Sequence, residues 1–566
     1  MPDYDTRRPH IHVERRITDM RSERSSWLSH WRELTQNFSP RRGKYTETDR
    51  NKGNKRNILP NNTPLFAKRV LVSGLMTGVS SPARPWFKLS LSNKELEQFG
   101  PVREWLDSVE DMQYRVFAAS NLYRALPDVY DELCTVGTAA MLQEENFDDV
   151  TRFTTYTAGE FMLDTNGDDR VDTFAREYDA TVWQLVSEFG LDNVSRRVRD
   201  LYDRGAYTSV FRVHHVIEPV TTCKLEGIKL PEWAKWRSIY YEVGAHNDEA
   251  QDKMLRVRGY RNFPVFAPRW SARSGDVYGY SPAMDALGDA KALQIQEKEK
   301  AKAVAKQNNP PMKAPKSLEN VAISLLPGAV NFTEDPNNVF SSLYQVQARP
   351  DLLAVDIERT EMRINRAMYA DLFLMIARQD DVRTATEIAA RQEEKLLQLG
   401  PVLEHLHDEL LEPLIENTFD MLMNLSEAGW SGMGPMLLPP PPEELQEENV
   451  EVEFVSILAN AQRLVDTGAM ERWIGFVGNM AAIKPEVLDK IDADEAADEM
   501  AEKLGVPPRV VVDDEEVSAQ REARQQMQQM QAMTGMAQQA VDAAKTLGDT
   551  PTTGGNVLND VLGVGQ

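Results

Sequence analysis

The stretch Thr384-Ala385-Thr386-Glu387-Ile388-Ala389-Ala390-Arg391-Gln392-Glu393-Glu394 opens a helical run that continues to about residue 425. Thr384 and Glu387 have the spacing of a capping box, in which a hydroxyl and a carboxylate each satisfy a free amide of the first turn. Behind them Leu396, Leu399, Leu403, Leu406, Leu410 and Leu414 recur at steps of three and four, the signature of one buried face. Gly400-Pro401 and Pro413 are expected to kink the run, because proline removes a donor and crowds the preceding turn. At 1.5 Å per residue it spans roughly 60 Å, more than a helix packed across a compact domain needs. Such a rod suits a large assembly.

The chain has 566 residues, enough for two to four domains with a sizeable core. Hydrophobic residues make up 42% and charged ones 27%, a globular balance with no window long and apolar enough to span a membrane. The opening residues 1–8 lack the apolar core of a signal peptide, so the expectation is a protein that stays in the cytosol where it is made. Cys134 and Cys223 read as reduced core thiols, not a disulfide framework. The net charge of −24 is uneven. Residues 1–60 hold fourteen Lys/Arg against eight Asp/Glu, whereas residues 441–566 hold nine against twenty-four. The N-terminal excess reads by default as a solvated surface, alternatively as a surface for an acidic partner. A chain this acidic lacks the basic footprint of a sequence-reading DNA binder.

Periodicity places helices at residues 22–38, 63–79, 101–117 and 125–137, with Trp27, Leu28, Trp31, Leu34 and Phe38 facing a core. Within 63–79, Gly74 and Gly78 read as places of close helix approach, and the chain then enters a strand near Leu89. Residues 139–269 form an α+β region of short strands (153–156, 161–163, 171–178, 210–217, 237–241, 263–267) around a helix at 181–189. Helix returns over 281–308, stops at Asn308-Asn309-Pro310-Pro311, and resumes at Pro350 with Leu353, Ile357, Ile364, Met368 and Leu372 on one face. Its end, 369–377, is apolar nearly all round and is expected to be buried. A polar break, Arg378 to Arg383, leads into the capping box. Beyond it come a strand at 450–455, short helices within 459–504, and a Gln/Met-rich tail expected to be disordered or ordered only by a partner.

Catalytic and metal motifs are absent from the sequence. No GxxxxGK[ST] phosphate loop and no GxSxG occur, and neither cysteine lies in a catalytic motif. Asp164-Thr165-Asn166-Gly167-Asp168-Asp169 resembles a calcium loop, but its glycine stands at position four and Ala175 occupies position twelve, so it reads as a hairpin turn. His214-His215, His10/His12 and His405/His407 lack the spacing of a zinc helix. No active site and no cofactor are read. Lys298, Lys302 and Lys306 share one helix face beside Glu297 and Glu299, by default a solvated face.

Several strings in order resemble the head-to-tail connecting (portal) proteins of short-tailed, podovirus-type phages. They are Leu59-Pro60-Asn61-Asn62-Thr63-Pro64, the run from Ser73-Gly74-Leu75-Met76 through Ser81-Pro82-Ala83-Arg84-Pro85-Trp86-Phe87, and Thr384, Thr386, Glu387, Arg391 and Glu394 as a structural motif. Leu399-Gly400-Pro401-Val402-Leu403 and Glu409-Leu410-Leu411-Glu412-Pro413-Leu414 also fit, and the resemblance spans about residues 10–430. It implies an α+β portal fold assembled as a ring, usually of twelve subunits, with double-stranded DNA passing through its axial channel. The parts would be a wing (1–287), two stem helices (288–309 and 350–377), a small α/β clip (310–349) and a channel loop (378–385). A long kinked helix with the rest of the wing (386–457), a helical crown (458–512) and a flexible tail (513–566) would complete it.

The same resemblance implies major capsid and scaffolding proteins, terminase, and tail adaptor and nozzle proteins as partners, with no membrane. The place would be the head–tail junction of a virion, after synthesis in the bacterial cytoplasm. Arg378, Gln379, Asp380, Asp381 and Arg383 would face the DNA, with Lys298, Lys302 and Lys306 as a basic stem face. An acidic wall repels phosphate while a few cations give weak, salt-dependent contacts, which is what a conduit needs. Two other readings stand beside it: a nucleic-acid enzyme of packaging, opposed by the missing phosphate loop, and a scaffold or assembly protein of the phage head without a channel.

Overall fold

Helix α1, Pro9–Phe38, serves two cores with its two halves. The computed structural model describes residues 9–45, 58–97, 99–146, 149–222, 225, 228–244, 254–308, 312–313, 316, 341–342, 350–377, 399–427, 438–445 and 450–454, with short pieces beyond residue 472. The chain divides into two units, Met1–Gln462 and Arg463–Gln566. In the first, α1 is followed by α2 (Thr63–Gly78), β1 (Phe87–Leu91), α3 (Lys94–Glu97), α4 (Gly100–Ala119) and α5 (Leu122–Val136). Then come β2 (Ala140–Asn146), β3 (Val150–Tyr156), β4 (Phe161–Thr165), β5 (Val171–Thr181), α6 (Val182–Phe189), α7 (Arg196–Asp203), β6 (Val210–Pro219), β7 (Trp236–Glu242), β8 (Arg256–Tyr260) and β9 (Val265–Phe266). The last part holds α8 (Pro282–Asn308), β10 (Met312–Lys313), β11 (Ser341–Ser342), α9 (Pro350–Ala367), α10 (Ala370–Ala377), α11 (Gly400–Leu406), α12 (Glu412–Glu427) and β12 (Val450–Phe454). In the second unit, Pro551–Thr552 pairs antiparallel with Gly555–Asn556, inside the stretch expected to be a flexible tail.

The mixed α+β class is as expected. A five-stranded antiparallel sheet runs β4-β5-β6-β7-β8, and a three-stranded one β3-β2-β9. Strand alternation gives the larger sheet two buried faces. Val13, Ile17 and Met20 of α1 cover Ala175, Val216, Ile239 and Tyr241 on one. Val182, Leu185, Phe189 and Val198 of α6 and α7 cover Val213 and Tyr240 on the other. The first half of α1 was not expected from the sequence. Its apolar residues recur at steps of four and three, but between them lie charges that look solvated until the sheet supplies their partners.

Trp31, Leu34 and Phe38 join the main core, which also gathers α2, α4, α5 and the leucine face of α11 and α12. Leu399, Leu403, Leu406, Leu410 and Leu414 are all at most 2% exposed, as the periodicity required. The kink expected at Pro413 takes another form. Residues His407–Leu411 make a π-helical turn, and the Glu412 amide reaches back to the His407 carbonyl. Proline 413 offers no N–H to the carbonyl four residues earlier, so the widened turn absorbs the lost bond. It also points Glu409 at Arg269, whose Nε it meets at 2.9 Å. Pro401 stands in the first turn of α11, where its missing donor costs nothing.

Helices α8 and α9 pair antiparallel: Gln296 bonds Asp356 at 2.8 Å and Arg363 bonds Asp289 at 2.9 Å. The single helix expected over 350–377 is broken. Tyr369 sits at φ 54°, a left-handed residue between α9 and α10. That turn carries Phe373 against Gly74 of α2, where a built Cβ would lie 2.2 Å from the ring. Gly74 is thus the close approach the sequence suggested. The end of the run is not buried all round, since Leu374 is 37% exposed. Between α8 and α9, Met312–Lys313 pairs antiparallel with Ser341–Ser342.

The strand expected at 450–455 is β12, and its partner is β1, with Leu91 opposite Val450 and Phe87 opposite Phe454. Asp164 to Asp169 is a hairpin turn, as read: Asn166 Oδ1 accepts the Asp168 and Arg170 amides at 2.9 and 3.0 Å. Cys134 is a buried free thiol, and Cys223 lies outside the described residues.

Candidate functional site

The α8–α9 hairpin carries the part of the expected DNA-facing set that is described, and Asn61 holds it to the body. The Asn61 Nδ2 donates to Glu297 Oε1 at 3.2 Å on α8 and to Glu361 Oε1 at 2.7 Å on α9. Its Oδ1 accepts the Thr63 amide at 2.8 Å, in the first turn of α2. Its backbone amide and carbonyl are both taken by the Gln294 side chain, at 3.0 and 2.8 Å. One residue therefore ties three helices. Pro64, in the first turn, needs no amide partner there, so the Asn-Asn-Thr-Pro string starts a helix and docks it at once.

On α8, Lys298, Lys302 and Lys306 are exposed on one face, as expected. They do not form a bare cationic stripe. Lys302 is bonded to Glu299 at 2.7 Å, and Lys300 stands 3.8 Å from Glu297. The Lys302 hydrogen bond, its charge and the charge of Lys306 hold the Glu299 carboxyl below its ordinary value. The face carries a screened, mixed charge, suited to weak contacts. Lys298 has no ion pair among the described residues. Arg378, Gln379, Asp380, Asp381 and Arg383, and the motif residues Thr384, Thr386, Glu387, Arg391 and Glu394, lie outside the described residues.

Several described residues of the N-terminal basic cluster find partners within the chain. Arg16 meets Asp164 at 3.1 Å, Arg21 bonds Glu177, and Arg24 Nη1 donates to the Phe161 carbonyl at 2.7 Å. His12 bonds the buried Glu218 at 2.7 Å, and Arg237 bonds the same carboxylate at 2.8 Å. Burial alone would raise the Glu218 pKa, but those two partners hold it below the ordinary range. Arg42 lies against Asp128, Asp131 and Glu132, while Lys68 reaches Asp131 and Ser39. Among the described residues, Arg16, Arg21, Arg24 and Arg42 are thus spent on docking the N-terminal segment and not on a bare surface.

The second quoted string is also an anchor. Tyr114 OH accepts the Trp86 and Phe87 amides at 2.8 and 2.9 Å and donates to the Phe87 carbonyl at 2.8 Å. Ser80 and Tyr130 share a hydrogen bond of 2.7 Å. Sequence reasoning gave Asn61 no individual role and did not single out Gln294, Glu361 or the Arg269–Glu409 pair. An asparagine just before a Thr-Pro helix start was the available signal for the first.

His215 is a core residue stacked on Tyr240 at 3.8 Å, and His407 stacks on Phe454 at 3.9 Å. Among the described residues no group of His, Cys, Asp and Glu could hold a metal ion, and no helix is long and apolar enough to cross a membrane.

Residues 11–512 match the family model of the bacteriophage head to tail connecting protein. The chain belongs to that family. It is 42% identical over 546 residues to a probable portal protein of Bordetella phage BPP-1, covering 96% of each chain. It is 38% identical over 555 residues to a portal protein of Salmonella phage epsilon15, covering 97% of each. A chain from the virion of a native gene transfer agent particle overlays with a TM-score of 0.31 at 10% identity, over 74% of this chain and 86% of that one, too slight to argue from. Connectors of this family are structural proteins, and the anchors above suit one: they fix helices, not substrates.

Proposed function

We propose that this chain is the portal of a podovirus-type phage: a ring at one capsid vertex through which double-stranded DNA is packaged and later ejected. The observation that carries the reading is the family match over residues 11–512 together with two relatives, named as portal proteins, that align over nearly their whole length. The α8–α9 hairpin is the stem, and the segment between them, which includes the β10–β11 pair, is the clip. The clip meets terminase during packaging and the tail adaptor and nozzle afterwards. Capsid and scaffolding proteins surround the wing, and twelve copies close the ring. The channel loop presents Arg378 and Arg383 to the DNA with Gln379, Asp380 and Asp381 between them.

The exposed face of Lys298, Lys302 and Lys306, where Glu299 takes up part of the charge, supports a channel wall that touches phosphate weakly. Strong contacts would arrest a moving duplex, and contacts between exposed charges are screened within about 10 Å at 0.1 M salt. Two measurements test this. Negative-stain images of purified protein should show closed annuli with a central hole; a monodisperse single copy at every concentration would sink the reading. Replacing Arg378 and Arg383 together by Ala should leave the annulus intact and lower genome packaging or retention. Unchanged packaging and retention would remove those two residues from the DNA path.

A further inference from the structure

Tyr369 breaks a helix at a place where its own neighbourhood asks for none. Residues Ala367-Met368-Tyr369-Ala370-Asp371-Leu372-Phe373-Leu374 hold no glycine and no proline, and alanine, methionine and leucine favour a continuous helix. The apolar positions agree, since Ile357, Ile364, Met368 and Leu372 recur at steps of seven and four and are all buried. Yet Tyr369 adopts φ 54°, where Cβ crowds the following carbonyl. The bonds at the break are tight, three-residue ones. The Tyr369 amide donates to the Arg366 carbonyl at 3.1 Å, and the Leu372 amide to the Tyr369 carbonyl at 3.2 Å.

What holds the bend is remote in sequence. Phe373 of α10 sits on Gly74 of α2, where a built Cβ would lie 2.2 Å from the ring. The Tyr369 ring lies 6.0 Å from that of Trp270, against the main core. Backbone preference and tertiary packing therefore pull in opposite directions at one residue. A left-handed aromatic residue costs about tenfold in population against the helical one, and the fit at Gly74 has to offset that. Opposed effects of similar size leave two arrangements close in free energy, and strained residues of this kind collect at switching elements. Helix α10 is about 12 Å long, so a change at Tyr369 displaces its far end by a comparable distance.

We propose that Tyr369 is a two-position joint. In one position α10 is bent, with Phe373 in the notch at Gly74. In the other α10 continues α9 in a straight line, and Phe373 has left the notch. The joint couples the surface of α2 to the direction in which the chain leaves α10. It rests on this chain alone and stands whether or not copies close into a ring.

The test reads one distance in the full chain, by pulsed electron spin resonance between nitroxides at Leu352→Cys on α9 and Leu374→Cys on α10. Both positions are exposed, Cys134 is buried, and Cys223→Ser removes the other native thiol. Labelled protein is diluted into excess unlabelled protein so that only pairs within one copy count, and far-UV circular dichroism checks that each variant is folded. A straight helix sets the two positions about 33 Å apart, and the bend brings them closer. The parent should show mainly the shorter distance with a minor population at the longer one. Phe373→Ala, which empties the notch, and Gly74→Ala, which fills it, should each raise the straight-to-bent ratio by about fivefold or more. Tyr369→Gly added to Phe373→Ala removes the cost of the left-handed residue and should lower the ratio again by about tenfold. If Gly74→Ala does not fold, Phe373→Ala decides alone. The joint is overturned if a folded notch variant keeps the parent's distribution, or if Tyr369→Gly does not draw the ratio back towards the bend.

Discussion

Replacing Asn61 by alanine removes the side-chain bonds that tie α2 to both α8 and α9, while the backbone bonds to Gln294 survive. Two of the lost bonds run to carboxylates, Glu297 at 3.2 Å and Glu361 at 2.7 Å, and one caps the Thr63 amide at 2.8 Å. A hydrogen bond to a charged group contributes about 1.5–3 kcal/mol, and this half-buried junction takes the lower end. With about 1 kcal/mol for the bond to the Thr63 amide, the local loss is roughly 4 kcal/mol, close to a thousandfold in an opening equilibrium. Native-state amide exchange across α8 and α9 reads that opening directly, without requiring the two units to unfold together. Asn61→Asp is expected to be worse than Asn61→Ala, because it sets a third carboxylate beside Glu297 and Glu361. Raising the salt should narrow the gap between the two variants. Exchange in Asn61→Ala within threefold of the parent, or an Asp variant no worse than the Ala one, would refute the clamp.

Gly74→Ala should cost about 1–3 kcal/mol in urea unfolding, since its Cβ would lie 2.2 Å from the Phe373 ring. Pairing it with Phe373→Leu should recover part of the loss, and strict additivity of the two would count against the contact. Glu110 offers a pH test: burial, opposed by its bond from the Leu89 amide, lifts its carboxyl from the ordinary 4.5 to about 7. The fold therefore keeps a proton that the unfolded chain releases, so stability is full below about 4.5 and falls as pH rises through 7. The fall is at most about 3 kcal/mol, and Glu110→Gln, which still accepts from Leu89, should flatten it. Urea midpoints at pH 5, 7 and 8.5 decide, and an unaltered slope in the variant defeats the assignment.

Much of the architecture was legible because local periodicity carried it. The leucine face of 399–414, the start of α2 and the hairpin at Asn166 each follow from a few neighbouring residues. The errors share a different cause. Tyr369 breaks a helix whose pattern runs on unbroken, because what turns the chain is the fit of Phe373 against Gly74, nearly three hundred residues away in sequence. The first turns of α1 looked solvated because Glu177, Glu218 and Asp164, which receive Arg21, His12 and Arg16, stand on strands far downstream. Pro413 announced a distortion but not its type, since a kink and a widened turn both answer a missing amide. The exposure of Lys298, Lys302 and Lys306 follows from their spacing, yet the pairing of Lys302 with Glu299 depends on rotamers that spacing alone does not choose.

The β1–β12 ladder, joining Phe87–Leu91 to Val450–Phe454, has a bearing on biosynthesis. At about 5–20 residues per second, a nascent chain waits roughly 20–70 s between releasing the first of these strands and the second. During that interval β1 presents an open edge that invites stray pairing, and a chaperone or the packed α4 must shield it. A polypeptide released before Val450 has no β12 and leaves this seam unzipped.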